Sequence, residues 1–272
     1  MRIAVLGAGA IGCVIGGLLG REGHDVTLVG RPDMVRALQE SGLRMEGALG
    51  AMTVPVDAAG SLDFRPELAL LAVKTQDVEA ILRANRASLE GVPLVTMQNG
   101  VRSDAIVAGW LPADELLSSV VMITATYLTP GQVTIVNRGY LVLGRPTGPR
   151  DALVQRVAAV LDPAVPTSVS DHLVGAHWLK LIMNLNNALP ALTNLSLREV
   201  AREPFLRSLA VSLMREGVAV AERAGIALEP LRDVSVRTLR LLTRLPTPVA
   251  ARLFASRAGN LGNDWPILGS TL

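Results

Sequence analysis

The chain has 272 residues, of which 50% are hydrophobic, so it is long enough to form two domains with a large buried core. A formal net charge of +2 and an aromatic content of 3% argue against a nucleic-acid-binding surface. No apolar run reaches the ~20 residues that a membrane-spanning helix needs, so we expect no membrane span.

The single cysteine and the first residues bear on where the protein works. Because Cys13 is the one cysteine in the sequence, no disulfide can form within the chain, and we interpret this residue as a small buried side chain. The sequence opens directly on a predicted strand, without a basic leader or a cleavage site, so we expect no signal peptide. We therefore expect a cytoplasmic protein, and the spacing of His, Cys, Asp and Glu predicts no metal site.

The predicted elements begin with a strand, a glycine-rich turn and a helix. Residues 3–6 form a short apolar run that is typical of a buried strand, and residues 11–19 are apolar on nearly every side of a helix. The G-x-G-x-x-G spacing between them suits a tight turn, the close approach of a pyrophosphate and close helix–strand packing. The helix N-terminus would offer N–H groups to the phosphates. We therefore predict a dinucleotide site at Gly7, Ala8, Gly9, Ala10, Ile11 and Gly12.

The second predicted strand, residues 25–29, is followed by Gly30-Arg31-Pro32. Proteins of this type that bind NAD carry an acidic residue near this position, which holds the ribose hydroxyls. Arg31 instead brings a guanidinium that can clamp a 2′-phosphate and stack on adenine. The sequence therefore predicts NADP(H) as the cofactor, with a solvated loop arginine as the alternative interpretation.

Two further strands deliver polar tripeptides to one edge of the predicted sheet. Residues 67–73 precede Lys74-Thr75-Gln76, and residues 93–97 precede Gln98-Asn99-Gly100. Ligands of open α/β sheets bind at the carboxyl ends of the strands, so we expect both tripeptides beside the nucleotide. Asn99 would contact ribose or nicotinamide; the alternative is a turn residue with left-handed backbone before Gly100.

The other predicted elements divide the chain into an α/β part and a helical part. Further strands are predicted at 43–56, 116–124, 132–136, 140–143 and 165–169, and helices at 31–39, 77–88 and 149–161. Turn signals near Gly131 and Gly139 predict that this end of the sheet is antiparallel. Helices follow at 172–192, 204–224, 230–242 and 247–258. The predicted fold is an α/β Rossmann-type domain, residues 1–170, followed by an all-α domain, residues 171–272.

Lysine use singles out two positions. Of 26 Lys and Arg residues only Lys74 and Lys180 are lysine, which indicates places that need a compact, proton-donating ammonium. Lys180 lies in an apolar stretch, where a lysine must extend to solvent, pair with an anion or face a polar cleft. Asn184 follows at i+4 and shares its helix face. The alternative is a helix-end lysine beside structural amides.

Taken together, these motifs resemble the ketopantoate reductase family, the 2-dehydropantoate 2-reductases. The resemblance runs to about Leu195 and rests on G-A-G-A-I-G, Arg31, A-V-K-T-Q around Lys74, Q-N-G around Asn99 and W-L-K-L-I-M-N-L-N-N around Lys180. It implies NADPH-dependent reduction of ketopantoate to pantoate, on the route to pantothenate and coenzyme A. It further implies that Lys180 donates the proton, that Asn184 acts beside it as a substrate ligand, and that Lys74, Asn99 and the backbone of Tyr127 contact the cofactor.

The chain departs from the family pattern at two places. Position 188 is Ala where the family often has a second asparagine, and Asn187 is the nearest amide that could bind substrate in its stead. Family members continue beyond a serine-containing segment into a helix that bears a glutamate. Ser270 matches that serine as a substrate ligand, and we expect the sequence to lack the family's final helices.

Two other functions stay open. One is an NADPH-dependent reductase of another 2-keto or 3-hydroxy acid, because a lysine and an asparagine four residues apart also serve related enzymes. The other is a non-catalytic NADP(H)-binding sensor, although a sensor has no need of Lys180 in an apolar helix. We also expect the helical domain to form a homodimer through its long apolar helices, with no nucleic acid or membrane as partner.

Overall fold

The computed structural model describes residues 1–258, and it divides into two compact units, Met1–Leu173 and the residues from Val174 onwards. Unit 1 contains twelve strands among its described residues. They are β1 Arg2–Leu6, β2 Asp25–Val29, β3 Leu43–Gly47, β4 Met52–Val54, β5 Asp57–Ala59, β6 Leu68–Leu71, β7 Leu94–Thr96, β8 Leu116–Val121, β9 Thr124–Thr129, β10 Gln132–Asn137, β11 Leu141–Gly144 and β12 Thr167–Val169.

Helices connect these strands and make up unit 2. Unit 1 holds α1 Ala10–Arg21, α2 Pro32–Ser41, α3 Val78–Ala84, α4 Arg86–Leu89, α5 Ser103–Ala108 and α6 Ala152–Leu161. From the boundary onwards follow α7 Leu173–Asn184, α8 Ala188–Thr193, α9 Leu197–Arg202, α10 Pro204–Arg223, α11 Val236–Arg244 and α12 Thr247–Ala258. The predicted fold class, a Rossmann-type α/β region followed by helices, is confirmed.

The main sheet of unit 1 has eight strands in the order β12-β11-β8-β7-β6-β1-β2-β5. The strands from β5 to β8 in this order pair in parallel, as the βαβ connections require. From β1 the chain builds outwards through β2 and β5, then returns to place β6, β7 and β8 on the other side of β1. The strand order therefore reverses between β1 and β6, which is where open α/β sheets bind their ligands.

Strand register aligns the ends that carry the predicted site residues. Leu6, the last residue of β1, lies opposite both Val29 of β2 and Leu71 of β6. Leu71 in turn lies opposite Thr96, the last residue of β7. The glycine turn, the Arg31 segment and both polar tripeptides therefore leave the sheet at one edge.

A second sheet of unit 1 corrects one prediction. Its order is β4-β3-β10-β9, with β9 and β10 antiparallel and β10 parallel to β3. Residues 124–137 thus lie outside the main sheet, whereas we had predicted the strand 132–136 at its antiparallel end. Only β11 pairs antiparallel there, with β8. A break at Met122 and Ile123 divides the predicted strand 116–124, and the chain then enters β9, which pairs with β10.

Unit 2 shows a second correction. The predicted helix 172–192 is interrupted, because α7 ends at Asn184 and a 3₁₀ turn, Leu185–Asn187, precedes α8. Close packing of α10 fixes this region: a Cβ on Gly217 would lie 2.9 Å from Cγ1 of Ile182 and 3.1 Å from Cδ1 of Leu185. Among the described helices, none combines the length and the apolar character that crossing a membrane requires.

Candidate functional site

The glycine turn has the geometry that its spacing predicts. Gly7 has φ +117°, and a Cβ there would lie 2.6 Å from the Val73 nitrogen, so the position excludes any side chain. A Cβ on Gly12 would overlap the carbonyl oxygen of Gly7, so its absence lets α1 pack on the end of β1. Gly9 is different: it is exposed, and a Cβ there would meet nothing within 4 Å. The turn therefore leaves open space at Gly9, where a ligand would approach.

The first turn of α1 suits an anionic ligand. Gly9 is the N-cap residue and supplies no capping side chain, and the first helical turn contains no acidic residue. The N–H groups of Ala10, Ile11 and Gly12 have no acceptor within the helix, because the first turn never does. The backbone N–H groups of Gly7 and Ala8 both donate to the Val29 carbonyl, at 2.9 and 3.0 Å, and fix the turn on β2. The chemistry and the space both fit a pyrophosphate.

Arg31 stands beside this turn as the N-cap residue of α2. A Cβ on Gly30 would lie 2.9 Å from Cβ of Ala8, so the segment that carries Arg31 passes directly against the glycine turn. The Arg31 side chain is exposed and forms no ion pair with an acidic residue in the described part of the chain. The structure thus places the exposed Arg31 directly after the residue that contacts the glycine turn.

Tyr127 of β9 packs against the same helix. Its hydroxyl donates to Sδ of Met34 at 3.0 Å, and the Gly131 N–H donates to the same sulfur at 3.2 Å. Desolvation raises the pKa of Tyr127, and the positive charge of Arg31 acts in the opposite direction. The β9–β10 hairpin of the second sheet therefore joins α2 and Arg31 in forming this side of the site.

The two polar tripeptides emerge next to the glycine turn. Lys74 and Asn99 are both exposed, and Lys74 begins a short 3₁₀ turn in which its carbonyl accepts from the Asp77 N–H at 2.9 Å. The left-handed backbone conformation belongs to Gly100, with φ +95°, and not to Asn99. The alternative role of Asn99, a left-handed turn residue, is therefore wrong, and its amide faces solvent at the sheet edge.

Gln98 is a residue whose role sequence reasoning missed. Its side chain is 7% exposed, and its Nε2 donates to the carbonyls of Leu71 at 2.8 Å and Val73 at 3.0 Å. Its Oε1 is buried without a hydrogen-bond donor among the described residues. Burying an unsatisfied oxygen costs about 1–3 kcal/mol. The available signal was the position of a glutamine directly after a buried strand.

In unit 2, the end of α7 and the 3₁₀ turn after it carry the other predicted residues. Lys180 and Asn184 are spaced i and i+4 on α7, Asn187 lies in the 3₁₀ turn, and all three are partly exposed. Nδ2 of Asn187 lies 3.5 Å from Oδ1 of Asn184, at the limit of a hydrogen bond. Asn186, by contrast, is 5% exposed, and Ala188 begins α8. The geometry thus places the Asn187 amide beside Asn184, which shares a face of α7 with Lys180.

Burial changes the acidity of the Lys180 ammonium. Desolvation lowers its pKa from the ordinary value of 10.5 to about 8. The charged form is penalised because the ammonium is buried and has lost most of its hydration, although the residue as a whole is partly exposed. A lysine that served only a helix end would be hydrated and would keep its ordinary pKa. An ammonium with a pKa near neutral is suited to proton transfer.

Two residues considered in the sequence analysis do not belong to the site described so far. Ser270, predicted to bind substrate, lies outside the described residues. Cys13 is fully buried in α1, and burial raises the pKa of its thiol to about 12, so it is an inert core residue, as predicted.

Comparison with known proteins addresses the identity of the family. The family profile described as "Ketopantoate reductase PanE/ApbA" matches residues 3–148, more than half of the chain, and the profile of its C-terminal part matches residues 172–250. The 2-dehydropantoate 2-reductase of Pyrococcus abyssi is 29% identical over 243 residues, which cover 88% of this chain and 80% of the relative.

Solved structures agree with this assignment. A PanE/ApbA family ketopantoate reductase from Ralstonia eutropha superimposes with a TM-score of 0.75 at 29% identity, covering 95% of this chain and 97% of its own. D-Mandelate dehydrogenase in complex with NADH and anilino(oxo)acetate gives a TM-score of 0.82 at 20% identity, covering 99% and 82%, and shares the fold. The chain therefore belongs to the ketopantoate reductase PanE/ApbA family and is an oxidoreductase.

Proposed function

We propose that this reductase uses NADPH to reduce ketopantoate to pantoate, on the route to pantothenate and coenzyme A. The observation that carries the proposal is the face formed by Lys180, Asn184 and Asn187, with a lysine pKa of about 8. The name of the Pyrococcus abyssi relative, 2-dehydropantoate 2-reductase, and the shared motifs support the substrate.

Unit 1 would hold the cofactor through residues that fit it. The N–H groups of residues 10–12 would bind the pyrophosphate at the open space beside Gly9. Arg31 would bind the 2′-phosphate that distinguishes NADPH from NADH. Lys74, Asn99 and the Tyr127 backbone would contact other parts of the dinucleotide. When bound, the nicotinamide supplies the hydride that reduces the keto carbon.

Unit 2 would supply the groups that act on the keto acid. Negative charge develops on the keto oxygen during reduction, and the Lys180 ammonium stabilises this charge and then donates a proton to the oxygen. The side-chain amides of Asn184 and Asn187 lie side by side, and they would donate and accept hydrogen bonds that orient the substrate. Ser270 would bind the substrate as well, by the family pattern.

A second substrate class has its own support. D-Mandelate dehydrogenase shares the fold with a TM-score of 0.82, and its complex contains anilino(oxo)acetate, a 2-oxo acid. A reductase of another branched or aromatic 2-keto acid is therefore the main alternative to ketopantoate. We further propose that the protein works in the cytoplasm as a homodimer.

The test is a screen of NADPH oxidation over 2-keto acids, combined with lysine variants. Lys180→Ala is expected to lower kcat by ~10²–10⁴, the usual range for a general acid, with little change in the Kd for NADPH. Lys180→Arg should restore little activity, because a guanidinium keeps its proton. Lys74→Ala should weaken cofactor binding together with turnover. Full activity of Lys180→Arg with loss of activity in Lys74→Arg would reverse the two assignments.

A further inference from the structure

We propose that Gln98 is a positioning residue that fixes the Lys74 segment against the glycine turn; this inference rests on the proposed cofactor site of unit 1. The residue follows β7, the neighbour of β6 in the main sheet, and it is the first residue of the second polar tripeptide. Its side chain is buried and donates to two backbone carbonyls, so its action would pass through the backbone of its neighbours.

The amide of Gln98 extends the pairing of β7 with β6 beyond the last backbone hydrogen bond. The Met97 N–H donates to the Leu71 carbonyl at 3.0 Å, which ends the regular ladder. Nε2 of Gln98 then bridges the carbonyls of Leu71 and Val73, at 2.8 and 3.0 Å. The side chain thus gives the Leu71 carbonyl a second donor and supplies a donor to the Val73 carbonyl beyond the end of the ladder. It thereby holds Val73, the residue directly before Lys74.

Val73 transmits this restraint to the glycine turn. Gly7 tolerates no side chain because the Val73 nitrogen and Cγ1 would lie 2.6 and 2.8 Å from its Cβ. The Ala72 N–H donates to the Leu6 carbonyl at 2.8 Å, which ties the same segment to the end of β1. A shift of the Val73 carbonyl therefore moves both Lys74 and the neighbour that confines Gly7.

The polarity of Gln98 supports a role of this kind. An apolar side chain of the same length would bury no unsatisfied oxygen, whereas Oε1 of Gln98 has no donor within the described ranges. What the amide adds at this place is the pair of N–H bonds to Leu71 and Val73. Because Gln98 is directly followed by the exposed Asn99, the same bonds hold both tripeptides in one arrangement.

The test compares Gln98→Met with Asn85→Met in the full chain. Asn85 is a matched control: it is 2% exposed, its Oδ1 accepts from the Leu62 N–H at 2.7 Å and its Nδ2 donates to the Ile81 carbonyl at 2.8 Å, away from the glycine turn. Both variants lose buried amide bonds. Gln98→Met alone is expected to raise the Kd for NADPH and to lower kcat/KM, by ~10–100-fold, because catalytic geometry tolerates little displacement.

Two further measurements test the positioning role of Gln98 independently of the kinetic constants. Hydrogen–deuterium exchange at residues 72–75 should increase in Gln98→Met and stay unchanged in Asn85→Met, a readout that needs no ligand. The carboxyl introduced by Gln98→Glu offers an O–H donor only when protonated, so its activity relative to wild type should rise as the pH is lowered.

Failure of the inference and failure of the proposed function give different results. An active wild type whose Gln98→Met variant matches Asn85→Met in stability, exchange and kinetic constants would overturn the positioning role. A wild type that turns over no keto acid would instead overturn the proposed function, while the exchange at residues 72–75 would still decide the role of Gln98.

Discussion

At the scale of single residues, the Lys180 ammonium makes the proposed chemistry depend on pH. Burial lowers its pKa to about 8, so the ammonium is mostly protonated at neutral pH and loses its proton as the pH rises through 8. A proton donor is active in its protonated form, so we expect kcat/KM to fall above pH 8 rather than near 10.5. The dependence of kcat/KM on pH, measured for wild type and for Lys180→Ala, tests this expectation, because kcat/KM reports the pKa values of the free enzyme. A profile that stays flat to pH 10 in wild type would contradict it.

The second prediction at this scale is that Arg31 sets the preference for NADPH over NADH. A hydrogen bond to a charged group contributes about 1.5–3 kcal/mol, so Arg31→Ala should weaken NADPH binding by ~10–100-fold and leave the Kd for NADH almost unchanged. Arg36 is a matched control, because it is an exposed arginine on the same helix, α2. An equal loss for Arg36→Ala would indicate general electrostatic attraction rather than a specific clamp.

At the scale of elements, the packing of α1 on β1 separates structural glycines from the one that faces the ligand. Gly12→Ala would bring a Cβ onto the Gly7 carbonyl oxygen, and such overpacking costs typically about 1–3 kcal/mol, so we expect a lower free energy of unfolding. Gly9→Ala meets open space and has φ −89°, so it should fold normally yet weaken NADPH binding. Calorimetry and cofactor titration measure both quantities.

Gly60→Ala provides the control for these variants. Gly60 is exposed, and a Cβ there would meet no atom within 4 Å. Because the residue also lies outside the glycine turn, neither stability nor cofactor affinity should change. The prediction for Gly9 fails if Gly9→Ala binds NADPH as tightly as Gly60→Ala does.

The secondary-structure elements also show which parts of the fold the sequence could predict and why the other parts could not be predicted. Strong apolar periodicity and glycine punctuation predicted β1, α1 and β2 almost to the residue, and α12 with its observed ends. The second sheet escaped prediction because the pairing of β10 with β3 is non-local. Thr134 and its partner Glu46 are 88 residues apart. The residue pattern of a single strand does not indicate which other strand it pairs with. The sequence signal for α9, the Ser196–Glu199 capping box, was present and was missed.

The candidate site was predictable to the same extent. Strand ends of a parallel sheet meet at one edge, so the juxtaposition of Gly7, Lys74 and Asn99 follows from the order of elements. The role of Gln98 did not follow, because its two acceptors belong to another strand and the segment after it. The position of the Asn187 amide beside Asn184 also required the structure, since a 3₁₀ turn after Asn184 interrupts the predicted helix.

At the scale of the whole molecule, the surface of unit 2 bears on the proposed homodimer. Large apolar side chains are exposed there, among them Leu192 at 83%, Phe205 at 75% and Leu241 at 60%. Contiguous apolar surface marks sites of protein–protein contact, and we propose that these side chains belong to one such patch. We therefore expect the protein to sediment with about twice the 28.7 kDa mass of one chain.

Charge substitutions locate that interface. Phe205→Glu and Leu192→Glu would each place a carboxylate where the proposed contact buries an apolar side chain, and burying an unpaired charge is strongly unfavourable, so both variants should sediment as monomers. Leu128 of β9 is the matched control, because it is 83% exposed but belongs to unit 1, and Leu128→Glu should leave the dimer intact. A wild-type protein that sediments as a monomer at every concentration would refute the dimer, and a monomeric Leu128→Glu variant would move the interface to unit 1.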